Sequence, residues 1–435
     1  MSATFPKKTL WLLLVVSLFR LAILFLLGDQ FSTNLQLDVD RYLHLGTNLA
    51  ESSAYTLDDK PTAFRPILYP LLIAAGLKVG FTAKVWIMVL HVVLAIGTVG
   101  CTVALGRHIK DEKTGWLAGV LVMFDPILLH QSVWVMTETL ATFLAVLTMY
   151  RVAKLLENPS PLTALLAALS FSLAGFCRPT FYIYALLTLF LLLMVLQTSL
   201  LKRLMTSFAM GCIILLTLSP WVYRNHQLFN KIIPATTHGG YTLLLGNNPL
   251  YYQHLKHHLK QQHDEGVVMY TADEFDEGVR RFNVSEDPSY DFWAAEASLQ
   301  RPVNTRNESE RDEFAYSVAT YHIKHNPVEF ARSCVTRIKA FWTPLPAAMP
   351  ERSDTQRYAI GIWYALIYLL VINFTLFHFK NWFHSGLFAG FCMVISFTLM
   401  HTVFWSNMRM RAPIIPLLCL VAAVSLLGPK SESDA

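Results

Sequence analysis

Residues 66–80 read PILYPLLIAAGLKVG, and how this stretch lies decides how the rest of the chain is threaded. It is apolar, short, and opened by prolines at 66 and 70. A helix needs about 20 apolar residues to cross roughly 30 Å of hydrocarbon. Were residues 66–80 to cross, the loop GRHIKDEKTG at 106–115 would face outside and every later loop would invert. Lying along the outer surface instead, they leave all the positive loops inside: Lys7/Lys8, Arg107/Lys110/Lys113, Arg151/Lys154, Lys202/Arg203, Lys380 and Lys430. The bias of Lys and Arg in short loops selects the second arrangement.

From that segment outward the apolar runs take their places. The first, Thr9 to Gly28, follows two lysines and has no small-residue cleavage site, so it reads as an uncleaved first helix. Further spans are predicted at roughly 83–105, 115–131, 138–154, 161–176, 180–198, 204–222, 357–377, 386–405 and 411–428. The expected fold class is an all-α polytopic membrane protein of about ten transmembrane helices, with outer-face surface helices and a small, mostly helical extramembrane domain. Its parts are a membrane module at 1–224 with a first outer loop at 29–82, an outer domain at 225–355, and the last membrane helices with a cytoplasmic tail at 356–435. The outer domain holds more than half of the 30 Asp and Glu, in clusters such as Asp273-Glu274 and Asp276-Glu277 beside Arg280/Arg281.

Composition agrees. Of the 435 residues 54% are hydrophobic and 15% charged, and mean hydropathy is +0.41. Soluble domains average about 25% charged residues, so a disordered chain, a coiled coil and an ordinary soluble enzyme are excluded. A net charge of +5 is too mild to argue for nucleic acid and fits basic loops at a membrane face. The cysteines (Cys101, Cys177, Cys212, Cys334, Cys392, Cys419) form no CxxC pair, so neither a zinc site nor a disulfide framework is expected.

With this threading, Asp38, Asp40, Arg65, His130, Glu138, Arg178, Arg224, Arg409 and Arg411 all fall at or just beyond the outer ends of spans. Span ends are where charge belongs, but ionisable groups at a membrane edge are costly, and so many at one face make a site. After the first span comes LDVDRYLHLGTNLAESSAYTLDDKPTAFRPILYP, residues 37–70. Leu37, Tyr42, Leu45 and Leu49 recur at helical spacing, which places Asp38 and Tyr42 on one face of a short surface helix. Asp38-Val39-Asp40 is a literal DxD, a spacing some sugar transferases use for a divalent metal; Asp38 read as a helix cap explains the same residue without one.

These residues, in this order, resemble the GT-C superfamily of membrane glycosyltransferases, which includes protein O-mannosyltransferases and the aminoarabinose transferases of lipid A. The bacterial pattern D-x-x-x-Y-x-x-x-A-x-x-L is matched by Asp38, Tyr42 and Leu49, with Gly46 where Ala is usual. Pro61-Thr62-Ala63-Phe64-Arg65 is matched too, while Ile67 and Leu68 replace the usual Pro-Gly. Thr137-Glu138-Thr139-Leu140, Arg178-Pro179, Pro220-Trp221 with Arg224-Asn225, and Gly246-Asn247-Asn248-Pro249 follow in the family's order. So do His325-Asn326-Pro327, Phe341-Trp342-Thr343-Pro344 and Asn407-Met408-Arg409-Met410-Arg411, with Met410 for Tyr.

The resemblance implies a polyprenyl-phosphate-linked sugar donor, a lipid, glycan or protein acceptor, and an active site at the outer face of a cell membrane. It implies no required cofactor, and the DxD admits a divalent cation. A sugar on polyprenyl phosphate already has a good leaving group, so cationic donors for the departing phosphate matter most. Arginine suits this, being planar and permanently charged. The acceptor hydroxyl needs a carboxylate base. Asp38 is assigned as that base, with Asp40 beside it. Arg65, Arg409 and Arg411 lead as phosphate ligands, followed by Arg178 and Arg224. Glu138 either orients Asp38 or binds sugar, or is a buried, paired structural residue.

Other polar features have plainer readings. Arg20, about 12 Å below Gly28 by helical rise, lines a lipid groove or bonds a backbone carbonyl. His254, His257 and His258 have i, i+3, i+4 spacing on a polar helix. Asn283-Val284-Ser285 and Asn307-Glu308-Ser309 are glycosylation patterns. Trp134, Trp221, Trp342 and Trp405 suit an interfacial belt. A transporter or flippase of lipid-linked glycan is the competing class. Transporters place binding groups near the midplane on interrupted helices; here, Arg20 apart, the spans are nearly free of charge.

Overall fold

Apolar runs bounded by capping residues become helices, and the caps are in the sequence. Thr82, Asp111, Asp125, Ser160, Ser199, Asn307 and Ser353 each stand before a helix and accept a first-turn backbone N–H. The computed structural model describes residues 7–260, 307–348, 352–383 and 386–428. The clusters at 273–281, the pattern at Asn283 and the tail residue Lys430 lie outside the described residues, as do the side chains of His257 and His258.

The membrane part begins with α1 (Lys7–Leu26) and α2 (Gly28–Leu37), bent by 72°. The stretch expected as the first outer loop, called the first outer segment below, is made of α3 (Tyr42–Ser52), a two-stranded antiparallel hairpin pairing Thr56–Leu57 with Lys60–Pro61, and α4 (Leu68–Lys78). Helices α5 (Ala83–Ile109), α6 (Glu112–Met123), α7 (Pro126–Gln131), α8 (Glu138–Glu157), α9 (Pro161–Cys177), α10 (Thr180–Val195) and α11 (Leu200–Phe229) come next. Outside the bundle lie α12 (Gly239–Leu245), α13 (Pro249–Lys260), α14 (Glu308–His325) and α15 (Pro327–Trp342). The chain closes with α16 (Asp354–His378), α17 (Phe388–Val403), a 3-10 turn at Met408–Ile414 and α18 (Ile415–Leu427).

Five described helices are long and apolar enough to cross a membrane, and the bent pair at the N-terminus makes a sixth. α9, α10 and α17 are equally apolar but have 17 residues or fewer. The decisive segment, α4, is 11 residues long, about 16 Å at helical rise, and does not reach across a bilayer. It packs on α3 and α5 through Tyr69 and Ile73, both fully buried. Where one span was expected at 115–131 there are two helices, broken at Phe124-Asp125. Asp125 caps α7 and Pro126 occupies its first turn, a start signal readable in the sequence. The membrane module also runs past 224, since α11 continues to Phe229.

One large core joins α5, α8, α9, α10, α17 and α18; a second lies between α1, α5, α6, α16 and α18. α11 and α16 ring this bundle and leave apolar side chains such as Phe208 (75%) and Phe377 (74%) exposed. That much apolar surface on single helices is a lipid-facing surface. The protein is a polytopic α-helical membrane protein. Its two ends differ. At one, Lys110 donates to the carbonyls of Leu427 and Gly428, and His108 and Lys154 approach Glu157. At the other lie the first outer segment and helices α12 to α15.

Candidate active site

The non-lysine end is organised around the start of α3. The periodicity placed Asp38 on that helix; instead α3 starts at Tyr42, and Asp38 stands before it in left-handed backbone, φ 36° and ψ 52°. Asp is among the few non-glycine residues that accept this region, and strain of this kind gathers at functional sites. The chain turns back here so that the Asp38 carboxylate accepts the Leu43 N–H on Oδ1 (3.0 Å) and the His44 N–H on Oδ2 (2.8 Å). It caps α3 from four residues upstream. Burial pushes its carboxyl above the usual range, outweighing these two hydrogen bonds and the His44 and Arg41 charges.

Asp40 is committed elsewhere. Its Oδ1 lies 2.7 Å from Arg65 Nη2, and its backbone carbonyl accepts Arg65 Nε–H at 3.1 Å. The Arg65 guanidinium rests on Phe64 (4.6 Å to the ring centroid) and near Tyr42 (5.7 Å). A cation on Asp40 would meet that guanidinium, and both Asp38 oxygens already accept N–H groups. Among the described residues no group of three or more His, Cys, Asp or Glu is placed to hold a metal ion.

Tyr42 and Tyr69 meet edge to face at 5.4 Å and join this pair to a second one. Glu138, 1% exposed, starts α8 where the helix dipole favours an anion. Its Oε1 binds Arg178 Nη2 at 2.8 Å and lies 3.4 Å from Arg409 Nε; Oε2 is buried and has no side-chain partner among the described residues. Arg178 also donates from Nε to Thr137 Oγ1 at 2.8 Å. Asp38, Asp40, Arg65, Glu138, Arg178 and Arg409 are thus gathered around two tyrosines. His130 stands at the edge of the group, held by Gln131 and tilted at 43° against the Trp134 ring, 6.1 Å between centroids.

Two expected members are not there. Arg411 is fully buried, donates from Nη1 to the carbonyls of Phe341 (2.9 Å) and Thr343 (2.6 Å), and lies over the Tyr364 ring at 4.3 Å. Arg224 donates to the carbonyls of Thr62 (2.8 Å) and Tyr55 (3.0 Å), tying α11 to the first outer segment. Both anchor main chain, Arg411 fully buried and Arg224 half-buried. Arg20 likewise donates to the Leu128 carbonyl at 3.3 Å. Asn307 caps α14, its Oδ1 accepting the Glu310 N–H.

Three polar groups that tie elements together escaped sequence reasoning, two of them buried. Asp125 accepts from Leu128 N–H, Tyr364 Oη and Trp363 Nε1. Arg337 clamps α15 to the Gly246 and Thr402 carbonyls. Glu308 holds Thr62, Ala63 and Thr237. Only the first had a signal, the Asp-Pro helix start. One turn along α14 from Glu308, Asp312 accepts the Gly240 N–H at 2.7 Å. A Cβ on Gly240 would sit 2.1 Å from the Asp312 carbonyl, so this approach of α12 to α14 requires glycine.

Burial pushes the Asp312 carboxyl from 3.8 to about 6; Glu308 and Glu313 add to the rise and the Gly240 N–H opposes it. A carboxyl raised in the folded state holds its proton better folded than unfolded. Its contribution is full below about pH 4 and is lost as pH rises through about 6. Asp312→Asn stays neutral throughout. Between pH 5 and 7.5 the wild type should therefore lose about 1–2 kcal/mol relative to the variant, the full shift being worth at most about 3 kcal/mol before solvent screening. Thermal melts of both proteins in one detergent check this; parallel pH curves would contradict it.

Comparison with solved structures gives the fold its class. The archaeal oligosaccharyltransferase AglB from Archaeoglobus fulgidus matches in its apo form with a TM-score of 0.52 and 11% identity, over 98% of this chain and 51% of that chain. Its complex with an inhibitory peptide and a dolichol-phosphate matches with a TM-score of 0.51 and 11% identity, over 97% and 50%. ArnT from Cupriavidus metallidurans matches at 10% identity over 88% of this chain and 71% of that one, with a TM-score of 0.38, too low to carry an argument. No protein-family profile and no curated protein matches the sequence. The chain spans about half the length of the AglB structures. At such identity the likeness speaks for the fold alone, a polytopic helical membrane fold shared with these structures.

Proposed function

We propose that the protein is an integral-membrane glycosyltransferase. It moves a sugar from a polyprenyl-phosphate-linked donor to an acceptor hydroxyl at the outer face of the plasma membrane, with inversion. The observation that carries the reading is Asp38: a buried carboxylate in left-handed backbone, its pKa raised, capping the helix whose Tyr42 lies by the Arg65 guanidinium and against Tyr69. Asp38 takes the acceptor's proton as the acceptor oxygen attacks the anomeric carbon; the bond to phosphate breaks and polyprenyl phosphate leaves. A base with a raised pKa takes that proton more readily. Arg65, Arg178 and Arg409 receive the phosphate charge, while Arg224 and Arg411 hold the walls. Glu138, buried beneath them, holds Arg178 and Arg409 in place, and no step calls for a metal. That the AglB structure of the same fold carries a dolichol-phosphate supports the donor class.

The reading is tested by comparing glycolipids and surface glycans of cells with and without the protein. A product larger by one sugar should appear with it, and unchanged profiles would reject the enzyme. The outer-face assignment has its own check. Lys113 and Arg311 are both exposed, at opposite ends of the protein. Lys113→Cys should react with a membrane-impermeant thiol reagent only after the cells are opened, and Arg311→Cys before. Reaction of both from the same side would overturn the topology.

A further inference from the structure

The three proposed phosphate ligands reach the site in different ways. Arg178 and Arg409 sit at the ends of membrane helices. Arg65 is carried by an extended segment between the hairpin and α4, which has no helix of its own to fix it. What fixes that segment lies 246 residues away in sequence, on α14. Glu308 Oε2 accepts the Thr62 hydroxyl at 2.6 Å, and Oε1 accepts the Ala63 N–H at 2.8 Å and the Thr237 hydroxyl. Thr62 Oγ1 in turn accepts the Phe64 N–H (2.9 Å), Thr237 N–H donates to the Ala63 carbonyl (3.0 Å), and Arg224 donates to the Thr62 carbonyl. Residues 62–64 are thereby held on both sides, immediately before Arg65.

We infer that Glu308 is a positioning residue, which from the outer domain fixes residues 62–64 and so sets the Arg65 guanidinium on Asp40 and beside Tyr42. Its hydrogen bonds are to Thr62, Ala63 and Thr237, and it acts through residues 62–64. A carboxylate suits the task because three donors converge on it, one an amide N–H that only an acceptor can satisfy. A glutamine oriented the same way keeps the Ala63 N–H and the Thr237 hydroxyl on its oxygen, but its NH2 then faces the Thr62 hydroxyl, which must reverse and so gives up its hold on the Phe64 N–H; flipped, the NH2 confronts the Ala63 N–H. The site's geometry is thus set partly by the domain between α11 and α16, and a change in that domain reaches Arg65 without altering any residue of the site.

The inference rests on the donor class proposed above for one of its two tests, and the other is independent of it. In the first, hydrogen–deuterium exchange of the peptide containing residues 62–65 is followed in nanodiscs. Glu308→Gln should speed exchange of the Ala63 and Phe64 amides by about tenfold or more while α5 and α8 keep their protection. Glu308→Ala should do so further; if that variant fails to fold, the Gln variant decides. Unchanged exchange in a folded Glu308→Gln protein would overturn the inference. In the second, affinity for undecaprenyl phosphate is measured for the wild type, Glu308→Gln, Arg65→Ala and the double variant. A residue acting through Arg65 weakens binding about five- to tenfold in the wild-type background and has no further effect once Arg65 is gone. Equal losses in both backgrounds would reduce Glu308 to general support and overturn it. Wild-type protein that binds no undecaprenyl phosphate would strike the donor class, and the exchange result alone would then judge the clamp.

Discussion

Asp38→Asn is expected to lower sugar transfer by roughly two to four orders of magnitude, the usual range for a lost general base. The substitution keeps the size of the side chain, and Asn accepts left-handed backbone as Asp does. It is not silent for folding, however. Asp38 uses both oxygens on main-chain N–H groups, and Asn has one oxygen for the pair. One first-turn donor of α3 goes unsatisfied, at a cost of about 1–3 kcal/mol. The variant should therefore melt a few degrees lower and remain folded at room temperature while transfer is nearly abolished. Asp40→Asn is the informative partner. Its loss should trace to a freed Arg65, appearing as weaker donor binding, with a smaller fall in turnover. Transfer near the wild-type rate in a folded Asp38→Asn protein would remove the base from the mechanism.

The second large effect concerns stability. Glu138→Ala is expected to destabilise the protein by roughly 3–5 kcal/mol, because it leaves the Arg178 and Arg409 guanidinium groups facing each other without a counter-charge in a largely buried place. Glu138→Gln should cost less, since its amide oxygen can still accept from Arg178. Removing both members of the closer pair, Glu138→Ala with Arg178→Ala, should cost less than the sum of the single changes, a coupling of about 1–3 kcal/mol. Melting of the four proteins in one detergent gives the cycle. Additive losses would show that the pair does not hold the start of α8 to the end of α9.

What could be read in advance follows a physical division. Apolar runs and helix caps are local, so the helical membrane architecture was legible, and so was the shortness of the helix in 66–80 from its length and prolines. The residues gathered at the site were legible as types at span ends: Asp38, Arg65, Glu138, Arg178 and Arg409. Their pairing was not. Asp40 finds Arg65 across 25 residues, and Glu138 finds Arg178 across a helix and its return. Glu308 meets Thr62 across 246 residues. No local pattern encodes such meetings, which arise when the bundle closes. The same holds for Arg411, whose sequence neighbourhood is that of a phosphate ligand but whose guanidinium ends in the carbonyls that close α15. The left-handed turn at Asp38 replaced the expected helical register for a related reason. The carboxylate reaches forward to cap α3, which requires the chain to reverse before the helix starts.

The central claim is that this site transfers sugar from a polyprenyl phosphate with Asp38 as base. It is tested most directly by purified protein in nanodiscs, supplied with polyprenyl-phosphate sugars and acceptor lipids and glycans extracted from the host's membranes. Mass spectrometry follows the release of free polyprenyl phosphate and the gain of one sugar on an acceptor. The account predicts that both appear together with the wild type and that both fall at least about a hundredfold with folded Asp38→Asn protein. Release and gain at equal rates in the two proteins, or movement of intact lipid-linked sugar across the membrane with no release, would contradict it.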